Sequence, residues 1–236
     1  FYGNIMTVPF FQEPAACLKA TKIVDSDHPA VATYAKAKGK GGSQKERAVS
    51  LYYAVRDEIR YDAYGIELTP MGLSASRALE TRKGWCVSKS VLLAAACRSL
   101  GIPASLGYAD VRNHLSTERM RETMETDVFY WHGYTSIFID GSWVKATPAF
   151  NIELCDKFRI RPLEFDGHSD SIYHPLDLDN RKHMEYLSYR GEFVDVPLAQ
   201  MTEDFAFYYP RMRDSLEKHD FNSEVDSEVA RNVFND

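Results

Sequence analysis

A chain of 236 residues with 44% hydrophobic and 26% charged side chains has the composition of globular material and can bury a sizeable core. Its formal charge of −6, with no dense Lys/Arg stripe, argues against nucleic acid as the main partner. No apolar run approaches the roughly 20 residues that span a bilayer, so no membrane partner is expected.

In chain order, Phe1-Tyr2-Gly3-Asn4 lacks the basic and apolar regions of a signal peptide. Residues 1–25 read as short β-like pieces broken by Pro9 and Pro14. Asp27 is placed to cap a helix with Pro29 in its first turn, running to the Gly39-Lys40-Gly41-Gly42 break. The basic, Gly-rich stretch Lys36 to Lys45 reads as a solvated loop rather than a phosphate site. Ser43 and Glu46 form a capping-box signature, and the spacing that follows predicts a helix over 44–60. Ser74 is placed to cap a short helix through Leu79.

Next comes Thr81-Arg82-Lys83-Gly84-Trp85-Cys86, and then an almost wholly apolar run to Leu100, the pattern of a helix buried mid-domain. Gly101 and Pro103 supply its stop. Leu106 to Val111 reads as a strand and residues 115–125 as a short charged helix. The strands 128–139 and 142–147 flank Asp140-Gly141, a strong type I′ hairpin signal. Residues 148–200 read as meandering loops with small strands, and 201–236 as helical and acidic.

Four cysteines, Cys17, Cys86, Cys97 and Cys155, are widely spaced with no C-x-x-C pair. That predicts free thiols in a reducing, cytoplasmic setting, with neither a metal site nor a disulfide framework. Cys86 stands apart because it opens a helix, where unpaired N–H groups and the macrodipole favour thiolate. A cysteine nucleophile needs a base and a group to orient that base. With Asp140-Gly141 as a two-residue loop, Ile139 faces Ser142, Phe138 faces Trp143, and Tyr134 faces Thr147. His132 then shares a face with Tyr134, Ser136 and Thr147, so Thr147 is its diagonal neighbour. Asn151 and Asp166 are alternative orienters from loops. Trp85 and Tyr134 flank the two reactive residues and read either as pocket walls or as core. Cys97, Cys17 and Cys155 read as packed thiols. His114, His168 and His174 lie in loop-like segments and read as surface.

Several segments together carry a resemblance: Val55-Arg56-Asp57-Glu58-Ile59-Arg60-Tyr61, Gly84-Trp85-Cys86, Cys97-Arg98-Ser99-Leu100-Gly101-Ile102-Pro103-Ala104, His132-Gly133-Tyr134 and Asp140-Gly141-Ser142-Trp143-Val144. In order and spacing the chain resembles the transglutaminase-like superfamily over about residues 45–150. Phe165-Asp166-Gly167 and Met184-Glu185-Tyr186 are similar to an uncharacterised bacterial subgroup. The resemblance implies an α+β, papain-like core in which a central helix bearing the cysteine packs on an antiparallel sheet. A single domain over 1–236 is expected, with an N-terminal helical extension and an irregular region 151–236. By the same analogy Cys86 is the nucleophile and His132 the general base of thioester chemistry. The family usually has Asp where Thr147 stands, and a threonine can fix an imidazole tautomer but not stabilise an imidazolium.

The expected function is cysteine-dependent hydrolysis of an amide or related acyl bond in a peptide or small molecule. Acyl transfer or cyclisation of a small metabolite is a second reading, and a binding module with a degenerate triad a third. No cofactor is expected, no calcium-loop spacing occurs, and oligomeric state is left open. The charged stretch Ser116 to Asp127 reads either as overhanging the cleft or as a surface helix.

Overall fold

The computed structural model describes residues 12–113, 116–172, 177–179, 183–212 and 219–233. Three helices come first: α1 (Pro29–Lys38), α2 (Gln44–Glu58) and α3 (Ala75–Thr81). A short β1 (Arg60–Tyr61) follows α2, and β2 (Lys83–Gly84) leads into α4 (Cys86–Ser99). Then come β3 (Ala104–Asn113), α5 (Glu118–Met124), β4 (Val128–Ile139), β5 (Ser142–Ala146) and α6 (Ile152–Phe158). The chain closes with β6 (Met184–Phe193), α7 (Leu198–Tyr208) and α8 (Phe221–Val233). This is an α+β fold, as expected.

The four longer strands form one antiparallel sheet in the order β5-β4-β3-β6. Helix α4 lies across it, with Thr135 Oγ1 of β4 donating to the Ser90 carbonyl at 2.8 Å. Every α4 residue from Cys86 to Arg98 is buried, and α1, α2 and α3 pack around its far side. The small residues Ala94, Ala95 and Ala96 let these elements approach closely. The helix stops as predicted: Gly101 takes φ +74°, and Ile102 N–H returns to the Cys97 carbonyl at 3.0 Å.

The lysine and arginine buried on α4 are satisfied by backbone carbonyls. Lys89 Nζ donates to Arg56 O at 2.9 Å and Ile59 O at 2.6 Å, closing the C-terminus of α2. Arg98 donates to the carbonyls of Ala104, Lys19 and Val194, tying three segments to one guanidinium.

Local signals held in several places. Ser43 and Glu46 make the reciprocal capping box, and Ser74 caps α3 through Arg77 N–H. The hairpin turns at Asp140 and Gly141, both with positive φ, as type I′ requires. Its ladder pairs Ile139 with Ser142 and Phe138 with Trp143.

Elsewhere the structure differs. His28, not Asp27, is the N-cap of α1, its Nδ1 accepting from Ala30 N–H at 3.3 Å. Residues 1–11 lie outside the described residues, and Ala16–Leu18 is a 3-10 turn rather than a β-like piece. The stretch 148–200 contains α6 and the ten-residue strand β6, not loops and small strands alone.

Candidate active site

Two approaches fix Cys86. The parallel pair β1–β2 matches Arg60 with Lys83 and Tyr61 with Gly84, so the chain reaches Trp85 already anchored to the end of α2. Trp85 is the N-cap and offers no side-chain acceptor to the first turn of α4. Instead the nearby backbone N–H groups of Gly133, Val87 and Cys86 itself favour negative charge on the Cys86 sulfur. The Gly133 contact is possible because β4 presses directly on the helix start. A Cβ on Gly133 would lie 3.0 Å from Val87 Cα and 3.3 Å from its nitrogen.

His132 precedes that glycine and pairs with Ala109 of β3. Cys86 and His132 are each 5% exposed, and they line one cavity. Burial pushes the Cys86 thiol up to about 11, against the pull of the three backbone amides. Burial likewise pushes the His132 imidazole down to about 4, with the neighbouring charge of His183 adding to the effect. The helix start was expected to favour thiolate; desolvation outweighs it, and the pair at rest is a thiol beside a neutral imidazole.

The cavity holds about 30 Å³ of free space, room for about one water. Among the described residues its lining carries no carboxylate, ammonium or guanidinium. Four methionines face it: Met120 and Met124 from α5, Met184 from β6, and Met212. The charged stretch Ser116 to Asp127 therefore contributes an apolar wall through α5. Phe205 of α7 closes the cavity over Trp85, ring centres 5.8 Å apart at 69°. Tyr134 does not line the cavity; it lies across Gly107, where a Cβ would meet its ring at 2.0 Å.

Thr147 lies just beyond β5: the ladder with β4 keeps the predicted register but ends at Thr135 opposite Ala146, one step short of the expected Tyr134–Thr147 pair. Its N–H donates to Ser171 O at 3.1 Å and its carbonyl accepts from the Tyr52 hydroxyl at 3.2 Å. Thr147 Oγ1 is buried, makes no hydrogen bond among the described residues, and is outside the cavity lining. Asn151 Oδ1 accepts from Tyr61 N–H at 3.0 Å. Asp166 Oδ1 accepts from the N–H groups of His168 and Ser169 in an exposed loop. The structure thus brings Cys86 and His132 to one cavity and sets Thr147, Asn151 and Asp166 outside its lining.

Sequence reasoning missed His183. It is 2% exposed, acts electrostatically on His132, and its ring centre is 6.3 Å from that of Phe150 in the cavity wall. Only β6 places it there, and that strand was not foreseen. His114 and His174 lie outside the described residues, and His168 is exposed. Cys17, Cys97 and Cys155 are buried and free, with burial pushing the thiols of Cys97 and Cys155 up to about 12. These are core thiols. No described helix is long and apolar enough to cross a membrane.

No curated protein matches the chain. Among solved structures, a "Putative Cysteine Protease from Cytophaga hutchinsonii" is similar, with 16% identity and a TM-score of 0.45, over 80% of this chain and 57% of that one. A "putative protease from Parabacteroides distasonis" is similar at 16% identity and a TM-score of 0.38, over 57% of this chain and 26% of that one. The chain therefore spans less than two thirds of either. The model of the transglutaminase-like superfamily matches residues 31–148, half of the sequence, including Cys86, His132 and Thr147. On that match, the chain belongs to the transglutaminase-like superfamily.

Proposed function

We propose that the protein is a cysteine-dependent acyl hydrolase acting on an uncharged, apolar acyl group of a peptide or small molecule. The observation that carries the reading is the junction of β4 with the start of α4, where Cys86 shares a cavity with His132 and the Gly133 N–H favours negative charge on the sulfur. Because the resting pair is neutral, His132 takes the thiol proton as the sulfur attacks, rather than beforehand. The tetrahedral oxyanion becomes the acceptor for N–H groups at the helix start. Collapse forms the Cys86 thioester as the His132 imidazolium gives its proton to the leaving group. Water, deprotonated by His132, then attacks the thioester and restores the thiol.

The raised thiol and the unbonded Thr147 hydroxyl favour a second reading, a binding module that keeps the fold without turnover. Incubation with p-nitrophenyl acetate and mass spectrometry of the intact protein separate the two. The hydrolase reading expects a burst of p-nitrophenol and a transient acetyl adduct on Cys86, both lost in Cys86→Ala. Equal release from wild type and Cys86→Ala would leave the binding module as the better account.

A further inference from the structure

His132 directly follows a break in its strand. The pairs Ala109↔His132 and Val111↔Phe129 flank the break, so Asp110 alone stands opposite both Tyr130 and Trp131. Trp131 takes φ +63°, a region that favours glycine, although its side chain is fully buried. The other neighbour of β3 is interrupted at the same level. The pairs Tyr108↔Gly191 and Ala109↔Tyr189 leave Arg190 as the extra residue of β6.

Side chains replace the lost ladder bonds. Trp131 N–H donates to Asp110 Oδ1 at 3.2 Å, and Tyr130 N–H to the Tyr209 hydroxyl at 2.7 Å. The Trp131 indole N–H donates to Asp204 Oδ2 of α7 at 2.9 Å. Arg190 joins the two carboxylates, its Nε on Asp110 and its Nη1 on Asp204. Its guanidinium also lies 4.5 Å from the Trp131 ring centre. One cation from β6 thus holds both acceptors that keep Trp131 in its strained conformation.

We propose that Arg190 is a positioning residue for His132: by bridging Asp110 and Asp204 over Trp131 it fixes the bulge, and the bulge aims the imidazole at Cys86. The inference rests on the assignment of Cys86 and His132 as nucleophile and base. A planar fork is required, since an ammonium neutralises one carboxylate but cannot span two and stack on an indole. Without the cation two carboxylates face each other across Trp131, and their repulsion releases the bulge.

The test is the pre-steady-state reaction of the full chain with p-nitrophenyl acetate. Burst amplitude counts competent enzyme; the burst rate constant reads positioning. Arg190→Gln is expected to lower the rate constant about 10- to 100-fold, with half-saturation changed by less than about twofold. Arg190→Lys is expected to recover part of that loss. A merely structural role would reduce amplitude and leave the rate constant of the remaining enzyme intact. A folded Arg190→Gln acylating within about twofold of wild type, or losing only in half-saturation, overturns the proposal. If Arg190→Gln does not fold, Asp204→Asn breaks one ion pair while keeping an acceptor for the indole, and the same criteria decide. If wild type shows no burst that depends on Cys86, the acyl reading fails on its own account. The His132 ring signal in a ¹³C-histidine spectrum, assigned with His132→Gln, then decides: it moves in Arg190→Gln if Arg190 positions it, and stays if it does not.

Discussion

Gly133 of β4 packs so close to Val87 at the start of α4 that a Cβ on it would lie 3.0 Å from Val87 Cα and 3.3 Å from its nitrogen, and the Gly133 N–H favours negative charge on the Cys86 sulfur. Neither atom is a flexible side-chain end, so a methyl at Gly133 must push the strand and helix start apart. Gly133→Ala is expected to destabilise the fold by about 1–3 kcal/mol. It should also lower Cys86-dependent acylation by at least about tenfold, as one oxyanion-type donor moves off target. Urea unfolding and the p-nitrophenyl acetate burst measure the two effects. Unchanged acylation in a folded variant would show that the contact has no part in the chemistry.

His132 makes the fold sensitive to acid. Its imidazole stands at about 4 in the folded chain, whereas an unfolded histidine titrates near ~6.5. Below pH ~6.5 the unfolded chain takes up a proton that the folded chain refuses, so stabilisation present above that pH is lost as pH falls to about 4. The loss is on the order of 3 kcal/mol. Urea midpoints of wild type and His132→Gln at pH 7 and pH 4 isolate it from the other titrating groups. The wild type should lose more stability than the variant; parallel losses would rule out a buried neutral His132.

Arg98 is expected to be a structural keystone rather than a site residue. Its guanidinium serves Ala104 at the start of β3, Lys19 near the N-terminal turn and Val194 just after β6. Arg98→Met fills similar volume but leaves three carbonyls without their donor, each costing about 1–3 kcal/mol where water cannot reach. A total loss of at least about 3 kcal/mol in chemical unfolding is expected. A loss below about 1 kcal/mol would mean that water replaces the guanidinium.

What could be read from the sequence was what neighbours along the chain decide. The hairpin register followed from Asp140-Gly141, because a two-residue loop leaves one pairing. Helix α4 was legible because it is apolar all round, and its stop because Gly101 must turn left-handed. Strand β6 was hidden: Glu185, Ser188, Arg190 and Glu192 give an edge strand half open to solvent the look of a loop. With β6 went His183 and Arg190. The bulge at Trp131 was equally hidden, since nothing local makes a tryptophan adopt positive φ; Asp110, 21 positions before it, and Asp204, 73 positions after it, hold it there, with Arg190 bridging the two. The charge state of Cys86 was left open for a related reason. A helix start is visible in sequence, but the walls that desolvate it come from α5, α7 and β6.

Those walls set the last prediction, on substrate. The cavity beside Cys86 has an uncharged lining and four methionines, whose unbranched side chains shift to admit groups larger than the present free space. Burial of each methylene of an acyl chain should raise the acylation kcat/KM about fourfold. p-Nitrophenyl butanoate should therefore exceed the acetate by about fifteenfold, as two methylenes are added. The succinate half-ester, of similar size, puts a carboxylate among methionines and should fall below the butanoate by at least about tenfold. Met124→Lys places a cation in that wall and should narrow or invert the gap between succinate and butanoate. All rates are taken as the part lost in Cys86→Ala, so that surface hydrolysis does not enter. Equal rates for butanoate and succinate in the wild type would show that the acyl group does not enter this cavity, and the substrate would then have to approach Cys86 from outside the methionine wall.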